Sequence, residues 1–439
     1  MVSETALFRR MGTILVRYAG RVIRAFATLL SIAIGCLAVA ERNPQHVSID
    51  DAVEYALTNE PAILSLGRQV YAQANLQEAA KRLPDPTVRT GILNVPIDSF
   101  ALNSEPMTQT LIGVRQTIPA IGSRLASSMK HGHLSEAFDH QRSLQKKTTT
   151  LATRVAWLEA HYQRRAVDLT TQALQLLESF ANVVRARYAA GDELQLAVLA
   201  AELELNRLQS RLIDTKRHED QTLYELRRLI GVTNELAVGF ELPNWDVAPS
   251  REHVSQALEV HPRIQAANAL IAAESAMTQL QETALRPEWH FDLSYGIREG
   301  INLDGSSRSD FASATISFSL PFVEKRKHNL RLLAAHANED SARYSKSIVL
   351  RDMFSEIDVA YSEWTRLTER LSLLDDTIIA QTHNHAQAAL KAYQNKEGSF
   401  TDVLLSYVNE VDSKLEQHRV KVDRLKVWAT IDSLNGSSE

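Results

Sequence analysis

Trp289-His290-Phe291-Asp292-Leu293-Ser294-Tyr295-Gly296-Ile297 is the stretch that decides the fold. Its odd positions are apolar and its even positions polar or glycine, the period of a strand with two unlike faces. Ala312, Ala314, Ile316, Phe318 and Leu320 repeat the pattern against Ser313, Thr315, Ser317 and Ser319. Nine or ten residues is also what a tilted transmembrane β-strand needs. Residues 87–94 and 111–118 alternate more weakly, with Val88, Ile92, Ile112, Val114 and Ile118 apolar. The stretches between the strands of each pair, 95–107 and 298–310, are polar and predict exposed loops. Four strands cannot close a barrel alone, and an open sheet with an apolar face invites aggregation. Pooling strands between subunits removes those edges, and closure is what a membrane demands of β-structure.

Outward from the strands the chain becomes helical. Residues 124–190 contain no proline and one glycine, Gly132, and residues 323–397 contain neither. Uninterrupted runs at 192–230 and 399–435 follow Gly191 and Gly398. At 1.5 Å per residue the first run makes a rod of about 100 Å, far beyond an ordinary globular helix. Leu174, Leu177, Val184 and Tyr188 recur at helical spacing, as do Leu367, Leu371, Leu374 and Ile378. These stripes predict antiparallel rods turned back at Gly191 and Gly398.

The features come twice. Pro61 answers Pro262 and Pro86 answers Pro287, both at an offset of 201 residues. Gln116-Thr117-Ile118-Pro119 answers Phe318-Ser319-Leu320-Pro321, and Tyr188…Gly191 answers Tyr393…Gly398. A tandem duplication follows, with repeats over 46–240 and 251–434. The expected class is mainly α with a small β part, built from duplicated strand pairs and long antiparallel helical hairpins.

The first 40 residues read as an export signal. Five arginines precede an apolar stretch at 25–40 that ends Ala38-Val39-Ala40, a small-x-small cleavage pattern. Ala33-Ile34-Gly35-Cys36 is a partial lipobox, so lipidation at Cys36 competes with cleavage after Ala40. The remaining chain carries 43 basic and 52 acidic residues, which argues against a nucleic-acid binder. With one cysteine in 439 residues, a disulfide scaffold, a cysteine zinc site and an iron–sulfur cluster are excluded. No phosphate-binding glycine loop, G-x-S-x-G or H-E-x-x-H occurs, so no enzyme and no cofactor are expected. His131 with His133, and His383 with His385, point to nearly opposite sides of a helix and do not chelate within one chain.

The residues resemble the outer-membrane efflux (TolC) family in its heavy-metal-efflux branch. Carrying the resemblance are Leu83-Pro84-Asp85-Pro86, residues 94–100, residues 105–109, and Gln116-Thr117-Ile118-Pro119 with Gly122 and Arg124. Ser319-Leu320-Pro321-Phe322 with Lys325-Arg326 and the two tyrosine–glycine hairpin signatures complete it. The resemblance spans roughly 46–434. It implies a homotrimeric α-barrel with a twelve-stranded transmembrane β-barrel, four strands per protomer, in the outer membrane of a Gram-negative cell. It also implies a periplasmic tunnel that docks on an adaptor and an inner-membrane RND-type pump. The implied function is a passive exit duct for heavy-metal cations. Drug efflux, type I secretion and a non-conducting periplasmic coiled-coil scaffold are the alternatives.

Under that resemblance Asp402 matches an acidic motif at the tunnel tip, with Gln195 at the corresponding place in the first copy. Asp402, Glu397, Asp192 and Glu193 are the candidate tip acids, and three-fold copies of them would attract cations. Trp289, Phe291, Leu293, Tyr295, Ala312, Ala314, Ile316 and Phe318 are the expected lipid-facing residues. Trp289, Tyr295, Phe311 and Phe318 are the expected aromatic girdle. Lys325-Arg326-Lys327-His328 reads as a headgroup contact, a partner for a neighbour's acids or a solvated helix start.

Overall fold

The computed structural model describes residues 45–232, 236–239 and 241–436. The expected leader over 1–40 and its Cys36 lie outside the described residues. Among the described residues the chain divides into a small unit, residues 45–47 with 236–237, and a large one, residues 48–232 with 238–239 and 241–436. The short strands β1 (Gln45–Val47) and β4 (Leu236–Val238) pair in a two-stranded sheet. The helices and the four-stranded sheet described next belong to the large unit.

The protein is mainly helical. Ser48 opens α1 (Ile49–Asn59) with a capping box in which its side chain and that of Asp51 satisfy each other's backbone N–H. Pro61 starts α2 (Pro61–Ala80) at the first helical position, where its missing N–H costs nothing, and Glu60 caps it. Pro262 does the same for α6 (Pro262–Thr283), capped by His261, after α5 (Arg251–Ala257) and one 3₁₀ turn. Pro86 and Pro287 stand just ahead of β2 (Thr87–Leu93) and β5 (Trp289–Ile297). Two helices, two strands and a helical hairpin thus follow one another over 49–230 and again over 251–434.

The long rods are α3 (Ser123–Ala189) and α4 (Gln195–Ile230) in the first half. In the second half they are α7 (Lys325–Leu373), α8 (Ile379–Gln394) and α9 (Phe400–Leu434). A single π-turn over Leu374–Ile378 joins α7 to α8 without a break, so the expected uninterrupted rod is one helix carrying one extra residue in a turn. Helix α3 continues through Gly132, where α2 approaches too closely for a side chain. A Cβ on Gly132 would stand 2.8 Å from the Gln77 side chain.

Charged side chains also stitch the rods together. Glu159 on α3 accepts from Arg419 of α9 at 2.8 Å and from Lys426, while Arg419 also holds Asp423 at 2.6 Å and lies over the Tyr162 ring. Burial opposes ionisation of Glu159, and the two cations outweigh it and hold the carboxyl below its ordinary range. The segment after β4 packs on α9 through Trp245 stacked on Trp428 at 4.4 Å.

The four long strands form one antiparallel sheet in the order β2-β3-β5-β6, with β3 (Gln109–Ile118) and β6 (Phe311–Phe318) completing the two pairs. The central contact joins the halves: Ile118 stands opposite Trp289 and Thr110 opposite Ile297. Strands β2 and β6 are the edges, and neither outer side has a partner among the described residues.

Candidate functional site

The register sorts every strand residue onto one of two faces. Val88 faces Val114, Val114 faces Leu293, and Leu293 faces Ala314, so these share one side. The same pairing puts Ile92, Ile112, Ile118, Trp289, Phe291, Tyr295, Ala312, Ile316 and Phe318 on it. All eight residues expected to face lipid are therefore on one face, which carries no formal charge. Leu293 is 66 % exposed and Ile316 61 %. Trp289 and Phe318 pack ring to ring at 5.0 Å at the end of the sheet nearest the helices. Phe311 departs from the expected girdle. It stands opposite Gly296 on the other face, where the Arg298 guanidinium covers its ring at 3.9 Å. A one-residue step along a strand reverses the face, and Phe311 is one step from Ala312.

The second face is polar. Arg115 on β3 grips Asp292 on β5, with Nε 2.9 and 3.0 Å from the two carboxylate oxygens. Arg89 reaches the same carboxylate at 3.2 Å from β2, two strands away. It crosses β3 where that strand is bare: Gly113 is directly opposite Arg89, and a Cβ there would stand 2.8 Å from Ser294 Cβ. His290 completes the row through Thr117, Nδ1 to Oγ1 at 3.0 Å.

Beyond the strands, the loops 94–108 and 298–310 are latched together. The Arg308 guanidinium donates to the carbonyls of Asn103, Glu105 and Glu299 at 3.1, 2.9 and 3.1 Å. Arg298 donates to the Pro106 carbonyl at 3.0 Å. Gly300, at φ 104°, has the Asn103 carbonyl where a Cβ would go. The sequence does not single out these arginines, because their partners across the latch, at 103, 105 and 106, are backbone oxygens about 200 positions away.

At the far end of the rods two hairpins meet. In the first, Gly191 takes a left-handed conformation at φ 82°, its N–H bonded to the Tyr188 carbonyl at 2.9 Å. In the second, the left-handed residue is Lys396 at φ 63°, bonded to the Tyr393 carbonyl at 3.1 Å. Gly191 therefore corresponds to Lys396 and not to Gly398. Gly398 sits in the same turn for another reason, a close approach to Ala392, whose Cβ would be 3.1 Å from an added Cβ. Counting from the tyrosines also moves the partner of Asp402 from Gln195 to Ala197, each the third residue of its helix after the caps Ser399 and Leu194.

The tip acids have separate surroundings. Asp402 is exposed and closes a capping box with Ser399, taking the Ser399 hydroxyl at 2.8 Å. Asp192 and Glu397 are exposed in the turns. Glu193 is half-buried and accepts from the Tyr393 hydroxyl at 2.8 Å, with Arg187 over the Tyr393 ring at 4.7 Å. Burial, then the Glu193 carboxylate, push the Tyr393 hydroxyl above its ordinary range. That contact ties the two hairpins, whose four helices share one core of Leu177, Ala181, Ala201, Tyr393, Phe400 and Leu404.

The histidine pairs divide as helical spacing requires. His131 bonds Gln73 at 2.8 Å, His133 bonds Glu136 at 3.0 Å, and His383 bonds the buried Glu410 at 3.0 Å. Among the described residues no group of three or more metal-ligating side chains comes together. Lys325, Arg326 and Lys327 are exposed at the start of α7. No helix among the described residues is long and apolar enough to cross a membrane.

Three comparisons bear on this geometry. The family model described as outer membrane efflux protein matches residues 253–436. No match to the sequence is found among curated proteins. Solved structures match over most of the chain. The outer-membrane channel OprN superposes with a TM-score of 0.74 at 17 % identity, over 89 % of this chain and 90 % of its own. The CmeC outer membrane channel of Campylobacter jejuni gives 0.74 at 15 %, over 88 % and 85 %. CusC, whose structures concern folding and transmembrane channel formation, gives 0.75 at 14 %, over 91 % and 96 %. These likenesses establish the fold over nearly the whole described chain, and the family model is that of an efflux protein rather than an enzyme. Residues 253–436 match the model of the outer membrane efflux protein family, and the chain as a whole has the fold of the solved outer-membrane channels.

Proposed function

We propose that the chain is one protomer of a homotrimeric exit duct in the outer membrane, the last stage of a tripartite efflux assembly. Four strands from each of three copies close a twelve-stranded barrel, and the rods form a tunnel in the periplasm. Its tip docks on a periplasmic adaptor and an inner-membrane RND-type pump, which supplies the energy. The repeats at 46–240 and 251–434 each give two strands and one hairpin.

One observation carries this reading: a sheet with two open edges whose uncharged apolar face lies exposed over all four strands. Lipid is the solvent that suits such a face, and only closure satisfies its edges. A second copy also suits the rods, since Leu196, Leu199 and Leu203 are exposed at helical spacing on α4. At the tip, the Tyr393–Glu193 contact is a latch that adaptor docking would part.

The test begins with membranes of cells expressing the full chain. A duct extracts only in detergent, migrates as a trimer and gives discrete conductance steps in planar bilayers. A protein released by salt or carbonate, or one that conducts nothing, would instead be a periplasmic coiled-coil scaffold.

The cargo has two readings. The resemblance of residues 94–100 and 105–109 to the metal branch favours heavy-metal cations, and the charge on the sheet's polar face favours another class. Growth of a strain lacking the chain, across copper, silver, zinc, cobalt, cadmium and nickel and a panel of organic drugs, separates them. Sensitivity to metals alone supports the first, and sensitivity to organic compounds alone supports the second, drug efflux included.

A further inference from the structure

Within the four strands only three side chains carry a formal charge: Arg89, Arg115 and Asp292. The register sets all three on the polar face. That face cannot be turned to lipid, because an arginine at the bilayer midplane is strongly destabilising. In the closed barrel it lines the water.

One carboxylate cannot neutralise two guanidiniums. Asp292 lies beneath them with its side chain 10 % exposed, while Arg89 and Arg115 are 43 % and 36 % exposed. The surface presented to the water is therefore cationic. Arginine stays charged at any working pH, so the net of one positive charge per chain is permanent. Three copies bring six guanidiniums against three carboxylates into one narrow belt, walled by strands and then lipid. Low-dielectric walls focus such a field, and rings of arginine are the usual means of favouring anions in a pore.

Resting on the duct reading above, we propose that Arg89 and Arg115 make the barrel an anion-preferring passage. The cargo class this selects is solutes bearing carboxylate or other anionic groups, not free metal cations. The acids of the loops, Asp98, Glu105, Glu299 and Asp304, stand beyond the strands in open solvent, where salt screens them within about 10 Å, and Asp310, one residue before β6, is held by the hydroxyl of Tyr295, a residue of the opposite, apolar face. The tip acids stand at the far end of the rods. Neither set lies on the barrel wall.

The experiment is a reversal-potential measurement on the reconstituted full chain in planar bilayers under a potassium chloride gradient. The wild type is expected to favour chloride. Arg89→Gln with Arg115→Gln leaves Asp292 alone and should move the chloride-to-potassium permeability ratio about threefold toward potassium. Asp292→Asn should move it the other way. Asp98→Asn, a charge change of the same size at the mouth, should move it much less. A wild-type channel that favours potassium overturns the proposal and leaves the duct standing. So does a double variant whose ratio is unchanged, or one that shifts no more than Asp98→Asn. A wild type that forms no trimer and no conductance step sinks the duct reading, and the proposal with it. If the double variant fails to assemble, the direction of the Asp292→Asn shift decides alone.

Discussion

Tyr393 joins the two hairpins through one hydroxyl, and its loss is the smallest change that should register in gating. Tyr393→Phe keeps the ring beneath Arg187 and against Phe400 while removing the bond to Glu193. A hydrogen bond of this kind at a half-exposed site is worth about 1 kcal/mol, so channel-open probability should rise about fivefold in bilayers. An unchanged open probability would remove Tyr393 from the gate. Three residues on, Lys396 holds a left-handed conformation that costs a side chain about 1–2 kcal/mol. Lys396→Gly relieves that strain against the entropy glycine adds to the unfolded chain, and should stabilise by about 0.5–1 kcal/mol, read as a higher Tm. The sequence concealed this residue because Gly398 offered itself as the turn; the tyrosine, not the glycine, is the fixed point of each hairpin. His418 on α9 is an acid-sensitive residue. Burial, then the nearby His161, Arg165 and Lys421, lower its pKa to about 4. Between pH 6.5 and 4 the unfolded chain therefore takes a proton that the folded chain refuses, so stability falls as pH drops through that window. His418→Gln should lose less Tm between pH 7 and pH 4.5 than the wild type does. An equal loss in both would assign the acid sensitivity to other groups.

Elements were legible wherever one physical rule governs a whole stretch. Strand β5 was read to both its ends because period-two alternation is undiluted there, and the rods were read because no proline interrupts them. Weak alternation in β3 hid its first residues, Gln109 and Thr110, since a polar residue facing lipid or water at a strand end breaks no pattern. The π-turn at Leu374–Ile378 left no trace, because its residues are ordinary helix formers. The face of Phe311 was misjudged by aromatic composition, which carries no register. The polar cluster was the largest omission: Arg89, Arg115 and Asp292 lie far apart in sequence, and only the order β2-β3-β5 unites them. The loop latch is invisible for the same reason, and it is testable as an element. Arg308→Ala removes the donors that hold residues 103–105 to residue 299. The loop at 94–108 should then be cut by protease about tenfold faster in intact cells, with trimer and conductance retained. Protection equal to the wild type would mean that Arg298 holds the loops alone.

For the whole molecule the decisive question is whether the two faces of the sheet meet different solvents. Phe291 and Ile316 stand opposite each other on the apolar face of β5 and β6, and His290 and Ser317 stand opposite each other one step away on the polar face. The two pairs are adjacent on the same two strands, one residue apart, so they lie at nearly the same distance from the loops. Phe291→Asp with Ile316→Asp sets two carboxylates against each other in hydrocarbon, adding like-charge repulsion to the cost of burying each. The rods do not depend on these residues, so helical content should persist while trimer in the outer membrane falls below about a tenth of wild type. His290→Asp with Ser317→Asp introduces the same two carboxylates toward water, on the face that carries Arg115. That variant should assemble, and its conductance should shift toward potassium. If both pairs were tolerated, the sheet would not be in a membrane and a scaffold would be the better account. If both abolished assembly, the polar face would be packed against protein instead of lining a passage. Only loss on one face and tolerance on the other fits a closed barrel, and the comparison needs no knowledge of the cargo.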